Sequence, residues 1–316
     1  MSRLITAIQN YNIHELKRLI NTGSDVNEKD RDGWFPLIIA AFLSHEETVK
    51  ILLDAGAKVD QADNDGNTSF LIASINHNKS MVKLLLDRGA EVDHADNNGN
   101  TSLLIASINY NKDMVKMLLD RGAEVDHANN DGDTALLLAS INYNKDMVKL
   151  LLDRGAEVDH ANNDGDTALL LASKKNDEDI VKMLLDAGAN WMIDNKKGEN
   201  AVSVAAKPKM KKIFVEHEEP KWEKMLEDEN FTQFEEIDYK DKDLKNAYNK
   251  FKSKVEASMV DQMLYFNKSV FLDDETREAL AESLAESLTE EGEGKKRKKS
   301  IRKKKRRKAR KTNKKM

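Results

Sequence analysis

The sequence predicts an all-α solenoid of helix-turn-helix repeats with β-hairpin loops, followed by a helical C-terminal segment and a disordered basic tail. Three observations carry this. Twelve of the 14 glycines fall into two series spaced 33 residues apart, Gly23 to Gly188 and Gly33 to Gly198. A fixed period of this length is the signature of stacked supersecondary units. Each period carries the punctuation of two helices separated by a polar break. From Lys295 onward, the chain is mostly Lys and Arg.

One unit, DNDGNTSFLIASINHNKSMVKLLLDRGAEVDHA from Asp63 to Ala95, shows how the elements arise. Thr68 is placed to cap a short apolar helix running to Ile75. The Asn-His-Asn break follows, then a second helix over about 80–87, stopped by Gly89, where a left-handed residue is wanted. The segment Asn64-Asp65-Gly66-Asn67 turns the chain back. A unit this short cannot bury both faces of its helices. Phe70, Ile72, Ala73, Val82, Leu85 and Leu86 therefore require neighbouring units, and small Ala73, Ala106, Ala139 and Ala172 permit close approach.

Composition narrows the function. With 40% hydrophobic and 34% charged residues and a mean hydropathy of −0.66, the chain is soluble in character. It has no Cys, which excludes disulfides, thiolate metal sites and cysteine nucleophiles and suits a reducing intracellular compartment. No apolar run is long enough to span a bilayer, and the amphipathic N-terminus lacks a signal-peptide pattern. The net charge of −5 conceals a separation: residues 295–316 hold 16 of the 51 basic side chains and no acid, leaving 35 basic against 56 acidic elsewhere, a net of −21.

No Walker loop, GxGxxG, HExxH or GxSxG is present, so no enzyme and no cofactor is expected. The D-x-D-G tips fail as calcium loops because Ile72, Ile105, Leu138 and Leu171 stand where a bidentate Glu is needed. His94, His127 and His160 recur at the period, too far apart to share a metal, and are expected to face solvent on the hairpins.

The stretch TSLLIAS…DMVKMLLDRGAEVDHANNDGD resembles the ankyrin repeat, whose usual pattern is D-x-x-G-x-T-P-L-H-x-A-A…V-x-L-L-L-x-x-G-A-x-V-N. Copies 96–128 and 129–161 differ at six of 33 positions. The resemblance places an ankyrin domain at 1–217, with an entry cap at 1–29, full repeats at 30–62, 63–95, 96–128, 129–161 and 162–194, and an exit cap at 195–217. Two departures matter. The family's His, which links neighbouring loops, is replaced by Ile38, Leu71, Leu104, Leu137 and Leu170, so those bonds are expected to be absent. Its Gly after the first helix is replaced by Ser44, His77, Tyr110, Tyr143 and Asn176, which are strained if φ is positive.

The resemblance implies a concave surface that binds protein, lined by hairpin tips and first helices. The tip positions are Asp32 and Trp34; Asn64, Asp65 and Asn67; Asn97, Asn98 and Asn100; Asn130, Asp131 and Asp133; and Asn163, Asp164 and Asp166. Helix ends add an apolar stripe of Phe42, Ile75, Ile108 and Ile141. Asn and Asp also serve simply as turn residues, which leaves two readings of the tips. The isoleucines are explained either by a partner or by packing between repeats.

Residues 218–290 form the expected helical C-terminal region. Leu244, Tyr248, Phe251, Val255, Met259 and Met263 fall on one helical stripe. Downstream, an acidic cluster followed by Ala279, Leu280, Ser283, Leu284 and Glu286 resembles a ubiquitin-interacting motif, which implies that Ala279 packs on ubiquitin. Thr276 departs from that pattern, and an amphipathic helix with another partner is the alternative. The tail at 291–316 is too charged to fold alone. Its run Lys295, Lys296, Arg297, Lys298, Lys299, Arg302, Lys303, Lys304, Lys305, Arg306, Arg307 and Lys308 reads as a nuclear or nucleolar localisation signal, a nonspecific nucleic-acid contact, or a contact with anionic membrane. It could also fold back on the acidic body. The expectation is a protein-binding adaptor; the alternative is a nucleic-acid-associated protein that binds through its tail.

Overall fold

The computed structural model describes residues 2–31, 33–207 and 209–217, together with isolated Asn246 and Asn249. The chain divides into two units, Met1–Phe231 and Thr232–Met316, and the described residues lie almost wholly in the first. The expected C-terminal helices and basic tail lie outside the described residues.

Among the described residues there are thirteen helices and no strand. An entry pair, α1 (Arg3–Gln9) and α2 (Ile13–Asn21), precedes five repeats. Their first helices are α3 (Pro36–Phe42), α5 (Ser69–Ile75), α7 (Ser102–Ile108), α9 (Ala135–Ile141) and α11 (Ala168–Lys175). Their second helices are α4 (Glu46–Asp54), α6 (Lys79–Asp87), α8 (Lys112–Asp120), α10 (Lys145–Asp153) and α12 (Glu178–Asp186). A last helix, α13, covers 209–217. Two of the hairpins keep a single antiparallel bridge, Ala95 with Thr101 and Ala161 with Thr167.

Each first helix starts where the sequence places a cap. Thr68, Thr101, Thr134 and Thr167 accept a hydrogen bond from the N–H three residues on, at 3.3–3.4 Å. In α3, Pro36 takes the first position instead, with its φ already suited to a helix. The second helices begin one residue earlier than expected, capped in α6, α8 and α10 by Asn78, Asn111 and Asn144.

The break between helices is left-handed at every unit: Tyr11, Ser44, His77, Tyr110, Tyr143 and Asn176 have φ of 51–60°. The expected strain is therefore present. It allows the next residue's N–H to return to the first helix, as Asn111 does to the Ala106 carbonyl at 2.9 Å. At the hairpin tip, Gly66 has φ +84°, and a Cβ there would lie 2.7 Å from the Asn97 backbone nitrogen of the next repeat. The periodic tip glycine thus serves both a positive φ and a close approach.

Consecutive first helices pack side by side, α3 on α5, α5 on α7, α7 on α9 and α9 on α11. Ala73, Ala106, Ala139 and Ala172 are fully buried at these contacts, as are Phe70, Leu71, Val82 and Leu85. On the second helices, Arg88, Arg121 and Arg154 each reach back 3.0 Å to Asp54, Asp87 and Asp120 of the preceding repeat. These are exposed pairs and add little individually.

One expectation is corrected. His94, His127 and His160 do not face solvent but are half-buried, and their Nε2 atoms lie 3.1, 3.3 and 3.1 Å from the carbonyls of Gly66, Gly99 and Gly132. Since a carbonyl only accepts, each imidazole donates from Nε2. Neighbouring loops are thus joined by an imidazole from a different position of the repeat than the one held by Leu71, Leu104 and Leu137.

Candidate functional site

The tips are built from asparagine and aspartate for a local reason. Asp63 Oδ1 accepts from the N–H groups of Asp65 and Asn67 at 2.9 and 2.8 Å, which pins the turn. Asp96, Asn129, Asn162 and Asn195 repeat the arrangement. The turn reading therefore accounts for the residue that opens each tip.

The next tip residue links the stack. Asn97, Asn130 and Asn163 donate their backbone N–H to the carbonyls of Asp65, Asn98 and Asp131 at 2.9–3.0 Å. Their side-chain amides donate to the carbonyls of Asn64, Asn97 and Asn130 at 2.8–2.9 Å. Inter-repeat bonds thus engage one donor of each of these amides. Asn100, Asp133 and Asp166 are likewise joined to the following repeat, accepting from Asn129, Asn162 and Asn195 at 3.3, 2.9 and 2.6 Å.

Free chemistry remains at the position between them. Asp65, Asn98, Asp131 and Asp164 are exposed, and Asp65, Asp131 and Asp164 form no ion pair among the described residues. Asp32 lies outside the described residues. Asn64 is exposed and Asn67 is half-buried, its amide donating to Asp63 at 3.3 Å.

Phe42, Ile75 and Ile108 end their helices with 49%, 42% and 39% of their surface exposed. Ile141, at the same register, is half-buried. The stripe meets the tips at its first end, where Trp34 stands edge-on to Phe42 with ring centroids 5.3 Å apart. Trp34 is half-buried against Phe35, Ile38 and Ile72, so part of its ring belongs to the core.

At the other end the apolar register is broken by Lys174, one period after Ile141. Its Nζ lies 3.3 Å from Asp166 and 3.1 Å from Glu199, so stripe and tips share one face at both ends. Asp166 is itself buried, unlike its counterparts in earlier repeats. Burial opposes the Lys174 charge, and the Glu199 and Asp166 carboxylates outweigh it, raising its pKa above the ordinary lysine value. Glu199 is held below the usual carboxylate range by a hydrogen bond from Asn195 and then by Lys174.

Sequence reasoning missed this triad and the exposed Tyr110 and Tyr143, two residues past the stripe. The register of Lys174 was visible in the 33-residue period, but its partners required the turn from 195 to 199 to be folded beside it. The ubiquitin-motif residues 279–286 and the basic run 295–308 lie outside the described residues. Among the described residues, no helix is long and apolar enough to cross a membrane.

Comparison with known proteins agrees with this architecture. A family model described as ankyrin repeats in three copies matches in overlapping windows, residues 4–96, 58–129, 81–162, 103–195 and 141–221. Comparison with curated proteins returns no match. The crystal structure of the ankyrin repeat domain of Bcl-3, a member of the IkappaB protein family, is similar with a TM-score of 0.63 and 26% identity, covering 68% of this chain and 98% of that one. The human ASB11 ankyrin repeat domain is similar with a TM-score of 0.58 and 27% identity, covering 69% of this chain and 98% of that one. Ankyrin repeats are protein-interaction scaffolds, and with the family model spanning more than half of its length, this chain belongs to the ankyrin-repeat family.

Proposed function

We propose that the chain is a non-enzymatic adaptor whose domain at 1–217 binds a protein segment on the face shared by the tips and the stripe. The observation that carries this reading is the in-register exposure of Phe42, Ile75 and Ile108 beside acids that form no ion pair among the described residues. Large apolar side chains exposed at a repeating position bury area only when a partner covers them. Asp65, Asp131 and Asp164 favour a partner carrying Lys or Arg. Trp34 and Phe42 supply the aromatic anchor at one end.

The test compares protein capture by the full chain and by its Ile75→Asp/Ile108→Asp variant at low and high salt. Discrete proteins retained at high salt by the wild type and lost from the variant support the reading. Identical capture by both overturns it, and a far-UV circular dichroism spectrum equal to wild type shows that the variant's stack is folded.

The basic run at 295–308 supports a second activity, nuclear or nucleolar targeting with nonspecific nucleic-acid contact. Affinity for nucleic acid carried by this run falls steeply with salt, whereas the stripe contact does not. Ubiquitin binding through Ala279, Leu280, Ser283, Leu284 and Glu286 is the third element of the proposal, read out by titration with ubiquitin.

A further inference from the structure

Repetition constrains what can occupy the proposed face. Phe42, Ile75, Ile108 and Ile141 are the last residues of α3, α5, α7 and α9, which stand side by side. Alanines fully buried between them bring these helices close, and packed helices lie about 8–10 Å apart. An occupant touching all four must present apolar side chains on one face at that interval.

A β-strand alternates its faces, so its third residue, about 10 Å on, points away. A polyproline II segment has three residues per turn and rises about 3.1 Å per residue, returning every third side chain to one face after about 9 Å. An α-helix matches the interval only every seventh residue, after about 10.5 Å, and its backbone is already internally bonded. The polyproline II backbone has no internal hydrogen bonds, so its N–H and C=O groups are available to side chains of the face. Exposed Asn109 and half-buried Asn142, each next to a stripe isoleucine, make no side-chain hydrogen bond among the described residues and offer both donor and acceptor.

We infer that the partner is an extended, polyproline II segment with an apolar side chain at every third position and a Lys or Arg that reaches Asp131 and Asp164. The inference rests on the binding face proposed above and names its ligand class.

The experiment is selection from a random-peptide library on the immobilised full chain, with each enriched peptide re-measured on Ile75→Asp/Ile108→Asp and on Asp131→Asn/Asp164→Asn. The expected peptides carry apolar residues at i, i+3, i+6 and i+9, tolerate proline between them, and contain a Lys or Arg. They lose at least about tenfold in affinity on the isoleucine variant. On the aspartate variant they lose affinity at low salt and little at high salt. Peptides that depend on Ile75 and Ile108 but show helical spacing overturn the inference and leave the binding face standing. Enriched peptides indifferent to the isoleucine variant, or no enrichment at all, overturn both.

Discussion

The Lys174 ammonium stands 3.1 Å from the Glu199 carboxylate and closes the apolar stripe with charge. The Glu199 pKa is depressed below its ordinary 4.5, so its contribution to stability is present above that value and lost as pH falls through the folded-state pKa. The Lys174 pKa is raised above 10.5, so its contribution is present below that value and lost as pH climbs through the folded-state pKa. A Glu199→Gln variant should therefore melt below wild type at pH 7 and approach it at pH 3. Thermal melts at both values decide this; an equal gap at each refutes it.

The imidazole bonds between loops lead to a stability prediction. His127→Ala removes the donor to the Gly99 carbonyl and should cost about 1 kcal/mol, the net worth of one hydrogen bond. His127→Gln, whose amide still donates, should recover part of it. Urea unfolding of the three proteins measures both effects, and an unchanged midpoint in the alanine variant would remove the bond's assigned role.

The left-handed tyrosines should respond oppositely to the same substitution. Tyr143→Gly relieves a conformation that strains a non-glycine residue by about 1–2 kcal/mol and adds chain entropy worth about 0.5–1 kcal/mol, for a net gain of about 0–1.5 kcal/mol. Tyr110→Gly also loses the 2.9 Å bond from its hydroxyl to the Asn142 carbonyl, so its gain should vanish or reverse. Chemical denaturation of the two variants side by side distinguishes them.

Two glycines with the same φ sign should tolerate alanine differently. Gly89→Ala meets nothing within 4 Å and suffers only the backbone strain, about 1–2 kcal/mol. Gly66→Ala suffers that strain and also drives its Cβ to 2.7 Å from the Asn97 nitrogen, so it should be the more destabilising of the pair. Equal unfolding midpoints would show that the tip relaxes without cost.

Much of the fold is local and was therefore legible. The threonine caps, the left-handed break and the helix-stopping glycine are set within a few residues of one another, and Thr68, Tyr110 and Gly89 behave as their surroundings in the chain dictate. The alternation of a buried first helix with an amphipathic second one follows from the apolar pattern in the same way. The family resemblance and the 33-residue period rest on these local features repeated.

What depended on stacking was the assignment of polar atoms. His94, His127 and His160 lie next to hairpin turns in the chain, and nothing near them in sequence names the Gly66, Gly99 and Gly132 carbonyls 28 residues earlier. Asn97 and Asp65 look alike as tip residues, yet the first links the stack through its amide while the second forms no ion pair among the described residues. Sequence alone determined the repeat, its caps and the register of the stripe, because these follow from backbone preference and hydrophobic period. Only the tertiary structure decided which tip groups bond to the neighbouring repeat and which face outward, because a hydrogen bond's partner is set by the distance between chains of atoms that only folding brings together.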